Sequence, residues 1–146
     1  MMLLTHVLVT TAGVQALHLT GRERLLAYAF GCAVDVDHII KAPFYLKAVG
    51  LKEKKLGYYW RSSLQEPVAL LWILPLCLAL GTAVPILFFT MHVAMDYAVR
   101  FEKMPLYPYS NWVTRGFLIN VPDKVKEAIV FAVALCTNAL LFFSAR

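Results

Sequence analysis

The chain has 146 residues, enough for one domain, and 60% of them are hydrophobic against about 45–50% in soluble domains. Only 16% are charged, and the net charge is +5. A domain this small cannot bury so much apolar surface, which excludes an ordinary soluble fold, and no basic–aromatic nucleic-acid module is visible. The fold expected instead is all-α: an integral membrane helical bundle of about five transmembrane helices, a single domain over 1–146, with membrane lipids as its partners and no nucleic acid.

Five apolar segments follow one another at 2–19, 24–38, 63–81, 83–101 and 124–143. At about 1.5 Å per residue, each approaches the length that crosses a core of about 30 Å. The first lacks the positive n-region of a signal peptide and is expected to be retained. The second is the shortest and spans only if its polar end sits inside the bundle or at the headgroups. Gly21, Gly50, Gly57, Gly81, Pro105, Pro108 and Pro122 fall in the gaps. Pro67 and Pro85 fall in first turns, where proline is tolerated, and Pro75 predicts a kink in the third segment. Cys32, Cys77 and Cys136 lie in apolar runs without C-x-x-C pairing and are expected to be small buried hydrophobes.

Five spans place the connections alternately on two sides. Lys41, Lys47, Lys52, Lys54, Lys55, Arg61, Arg100, Lys103, Arg115, Lys124 and Lys126 fall on the side of the N-terminus, and only Arg22, Arg24 and Arg146 on the other. The positive-inside rule makes the first side cytoplasmic, so an inner-membrane protein with a cytoplasmic N-terminus is expected. The same arithmetic sorts the ionisable residues by depth. His6, Asp35, Asp37, His38, Glu66, His92 and Asp96 come from four segments, and all lie toward the cytoplasmic side.

A charged group at a membrane helix centre costs about 2.5–3.5 kcal/mol on insertion scales. Such groups are tolerated where they face one another or share a cation. His6, Asp35, Asp37, His38, His92 and Asp96 are therefore the metal-ligand candidates, for one or two divalent ions; mixed nitrogen and oxygen donors suit Zn²⁺, Mn²⁺ or Fe²⁺ better than Ca²⁺. His92 and Asp96 are i and i+4 and share a helix face, and Asp35 and His38 can do so at i and i+3. On a regular helix Asp37 points elsewhere, and it joins the same ion only if the helix unwinds there.

At this point the series of motifs resembles a known family. "LLTHV" near the start, "DVDH" after the second apolar run, "HVAMD" late in the fourth and "PLYPYS" beyond it follow in order. The series is similar to the YdjM-like family of inner-membrane metal-dependent hydrolases, over about residues 2–110. The resemblance implies that His6, the Asp35–Asp37–His38 group, His92 and Asp96 stand at the family's motif positions, with Val34 where the family often has proline. The third motif departs: "WRSSLQE" has Trp60 and Gln65 where the family has histidines, and Arg61 where it has arginine. Glu66, one residue on, is then a substitute ligand or general base.

The expected activity is metal-dependent hydrolysis at the cytoplasmic interface, on a lipid phosphate or another amphiphilic ester. Glu66 takes a proton from water and Arg61 holds an anionic group. Structural roles compete at each position. Ser63 and Glu66 fit a capping box, and Asp96 can pair with Arg100. The run "KAVGLKEKKLGYYW" and the loop "PLYPYSNW" read first as interfacial belts. The alternative to hydrolysis is a membrane protein that holds metal for structure or carries ions, or a plain helical scaffold; Gln65 in the third motif favours it.

Overall fold

The computed structural model describes residues 3–36, 40, 43, 64, 66–99, 102–103, 105–106, 108–110, 112–115 and 120–144. Five α-helices carry them: α1 (Leu3–Ala16), α2 (Gly21–Gly31), α3 (Leu70–Leu80), α4 (Val84–Val99) and α5 (Asp123–Ser144). Short 3₁₀ turns at Ala33–Asp35 and Pro67–Ala69 follow α2 and precede α3. A two-residue antiparallel pair, β1 (Glu102–Lys103) and β2 (Thr114–Arg115), closes the loop between α4 and α5, with Glu102 opposite Arg115. Tyr109 and Trp112 in that loop are exposed.

The helix limits follow local chemistry. α1 ends in a left-handed cap at His18 (φ 51°), where Leu19 N–H returns to the Val14 carbonyl at 3.0 Å. Pro67 opens the turn before α3 and Pro85 lies in the first turn of α4, as expected of proline. Pro75 lies inside α3 without ending it. Gly81 (φ 66°) closes α3, and Thr82 N–H reaches the Cys77 carbonyl.

Among the described residues, only α5 is long and apolar enough to cross a membrane. α1, Pro67–Leu80 and Val84–Ala98 are apolar but shorter. At 14 residues α1 is about 21 Å long, below the core thickness of about 30 Å. Among the described residues, the shorter helices therefore approach crossing length without reaching it. The cause is local: tight turns at 17–20 and 81–83 and the break after Gly31 take residues that hydropathy alone would count as helix.

Helix α1 packs on α2 and α5, and α4 packs on α2 and α3. One core cluster joins Val14, Ala27, Val84 and Phe88; a second joins Ala69, Ile73, Phe89 and Val93. Asn138 fastens α5 to α1, donating to the Leu8 carbonyl at 2.8 Å. The 17–20 and 81–83 turns meet at one end, where Arg22 donates to the Leu80 carbonyl and Thr82 to Glu23. This is the pairing of ends that alternating segments require.

The buried faces are unusually polar. Thr5, His6, Thr10 and Val14 form the buried stripe of α1. Val84, Phe88, His92 and Asp96 repeat at i+4 along the buried face of α4. Outside, Leu25, Leu71, Trp72, Leu78, Leu140 and Phe143 are all more than 60% exposed. The cysteines divide: Cys32 is buried, Cys77 half-buried and Cys136 exposed on the outer face of α5, so the expectation of three buried thiols holds for Cys32 alone.

Candidate metal centre

His6 sits in the first turns of α1, on the same stripe as Thr10, and is fully buried. His92 and Asp96 stand one turn apart on α4, and both are buried. Asp35 comes from the 3₁₀ turn after α2. That helix breaks at Cys32, whose backbone (φ −132°, ψ −46°) leaves the helical region. The break swings Asp35 away from the line α2 would have followed and into the space between α1 and α4.

Four candidates thus meet. His6 Nε2 lies 3.5 Å from Asp35 Oδ2 and 3.5 Å from Asp96 Oδ1, and His92 Nε2 lies 3.6 Å from Asp35 Oδ1. The two imidazoles stack with centroids 4.1 Å apart and planes 19° from parallel. Each imidazole meets its own oxygen of Asp35. One ligand atom from each of His6, Asp35 and His92 falls within 4.8 Å of the others. Asp96 touches the group through His6.

The donor set fits a divalent cation. Metal bonds of about 2.0–2.2 Å place tetrahedral ligand atoms roughly 3.4 Å apart, close to these separations. His92 Nδ1 lies 3.0 Å from the Gly31 carbonyl, which can accept only if Nδ1 carries the proton. That contact assigns the tautomer and leaves the Nε2 lone pair facing Asp35, the usual support for a ligating histidine. His92 Nε2 and both nitrogens of His6 are buried without a hydrogen-bond partner among the described residues. Orphaned polar atoms of this kind cost about 1–3 kcal/mol each unless something else binds them.

Gly31 is what brings α2 close enough. A methyl group there would collide with Thr10 Oγ1, so the α1–α2 approach needs glycine. Cys32 Sγ donates to the same Thr10 oxygen at 3.3 Å. This supporting layer had no motif of its own; a glycine midway along the second apolar segment was its sole trace in the sequence.

Glu66 is buried but does not belong to the His6–Asp35–His92 group; it accepts from Tyr97 Oη at 3.1 Å. It precedes Pro67 and occupies the N-cap position of the 3₁₀ turn, with no side-chain cap bond, so the capping-box expectation of Glu66 at N3 is overturned. Pro67 at the first position sets that turn's N-cap three residues later than the box requires. Asp37, His38 and Arg61 lie outside the described residues, as do Ser63, Gln65 and Arg100. Comparison with family models, curated proteins and solved structures gave no match.

Proposed function

We propose that the chain is a membrane-embedded, metal-dependent hydrolase of the YdjM-like kind, with its site at the cytoplasmic interface. The observation that carries the reading is the pair of buried imidazoles, stacked, without hydrogen-bond partners at Nε2 among the described residues, and facing one carboxylate. An apolar exterior around a polar interior supports the membrane placement. The resemblance and the bias of Lys and Arg support the family and the cytoplasmic N-terminus.

His6, His92 and Asp35 would hold the ion, with Asp96 beside His6, and Asp37 and His38 are proposed as further donors from the same stretch. Zn²⁺, Mn²⁺ and Fe²⁺ accept this set. When held, such an ion supplies Lewis-acid activation of water and of the bond attacked. The chain's own residues do the rest. Gly31 fixes the proton on His92 Nδ1, and Asp35 spans the two imidazoles. Glu66 is proposed to take the proton from water, and Arg61 to hold the anionic group of a lipid phosphate or ester.

Two measurements test this. Elemental analysis of protein purified without an affinity-metal step should find a stoichiometric divalent ion. A panel of lipid phosphates and esters should show turnover that Asp35→Asn abolishes. Metal without turnover across the panel selects the second reading, a metal-holding membrane protein without hydrolysis, which Gln65 in the third motif favours. Absence of metal after loading with Zn²⁺ or Mn²⁺ ends both.

A further inference from the structure

At the end of the bundle opposite the metal centre, a cavity of about 640 Å³ opens between the C-terminal halves of α1 and α5 and the start of α2. Its volume falls in the range of about 300–1,000 Å³ typical of small-molecule sites. Its lining is amphipathic. Leu19, Leu141 and Phe142 form an apolar wall, while Gln15, His18, Thr20 and Arg24 supply polar groups.

Four features of those polar groups point to a ligand. Arg24 makes no ion pair among the described residues, whereas its neighbours are engaged: Arg22 at the Leu80 carbonyl and Glu23 with Thr82. The Oε1 of Gln15 is buried and has no hydrogen-bond partner among the described residues. His18 is the one described non-glycine residue with positive φ. A left-handed backbone costs a side chain about 1–2 kcal/mol that glycine would avoid, yet here an imidazole is kept and lines the cavity. Thr20, the N-cap of α2, makes no capping bond, so its hydroxyl is also uncommitted there.

We propose that this cavity binds the headgroup of an anionic phospholipid. Arg24, His18 and Thr20 offer donors that match a phosphate, and Arg can engage it through two N–H groups. The buried acceptor of Gln15 calls for a donor beyond the phosphate, such as a headgroup hydroxyl. The wall of Leu19, Leu141 and Phe142 receives the first methylenes of the acyl chains. This site requires nothing of the metal centre and stands if that reading fails.

Native mass spectrometry of the full chain in detergent tests it, with dioleoyl phosphatidylglycerol as probe and dioleoylglycerol as the phosphate-free control. One phosphatidylglycerol should be retained per chain and the control should not. Arg24→Gln should weaken retention about tenfold, the loss of one charge-assisted contact, while Arg22→Gln leaves it within about twofold. His18→Gly should raise Tm while weakening retention, a pairing that general unfolding cannot produce. Equal retention of the two lipids would overturn the proposal. So would equal loss in the two arginine variants, or displacement of the lipid by inorganic phosphate alone, which would mark a free-anion site.

Discussion

Both ring nitrogens of His6 are buried, and neither has a hydrogen bond among the described residues. An imidazole left in that state opposes folding unless something binds it. His6→Ala should therefore lower the metal content of the purified protein by at least about tenfold, read by elemental analysis. Without metal the same variant should lose little stability, because it removes an unsatisfied group. Asp35→Asn should match it in metal loss, since each imidazole faces one Asp35 oxygen. Gly31→Ala tests the support beneath the ligands. The added methyl meets Thr10, so α2 must shift and carry the carbonyl away from His92 Nδ1. Metal affinity should fall roughly 10–100-fold, the range for lost outer-shell partners, although no ligand has changed. Unchanged affinity would mean that the Gly31 carbonyl does not orient the ring.

At the scale of elements, the break after α2 decides where the chemistry lies. Had α2 continued through Asp35 as a regular helix, that carboxylate would follow the face set by 100° steps from Gly31. The break at Cys32 replaces this with a 3₁₀ turn and a new direction. Hydropathy cannot foresee it, because Gly-Cys-Ala-Val continues the apolar run Leu25–Phe30 without a polar residue to mark the break. The turn at Gly81 has the opposite character. A side chain there meets nothing within 4 Å, so Gly81→Ala tests backbone conformation alone. It should cost about 1 kcal/mol, seen as a modest fall in Tm, with metal content unchanged. Asn138 bridges α5 to α1 through the Leu8 carbonyl. Asn138→Leu should loosen that contact by about 0.5–1.5 kcal/mol, measured by reversible unfolding in detergent.

Considered as a whole, the molecule buries Thr5, His6, Thr10, Glu66, His92 and Asp96 beside its two apolar clusters, while leucines, Trp72 and Phe143 are exposed. Water would penalise that arrangement and hydrocarbon would reward it. The chain should accordingly remain in the membrane pellet after alkaline carbonate and be released only by detergent. Extraction by carbonate would refute the membrane placement. In a cysteine-free background, a single cysteine in the 81–83 turn should react with an impermeant thiol reagent from the periplasmic face, and one in the 39–62 loop should not.

What the amino-acid sequence determined unaided was composition, element order and depth. Apolar content pointed to an all-helical fold, and alternation of segments sent His6, Asp35, His92 and Asp96 to the same end, where the structure places them within 3.5–3.6 Å of a partner. Depth is legible because it is a running sum along the chain. Direction around each helix axis, and the break that redirects a chain, depend on contacts between segments far apart in sequence. Only the tertiary structure therefore decided that Gly31 lies against Thr10, that His92 is held by a backbone carbonyl, and that Glu66 accepts from Tyr97. Close packing selects one rotation of each helix from many that share the same depth, and no local spacing encodes that choice.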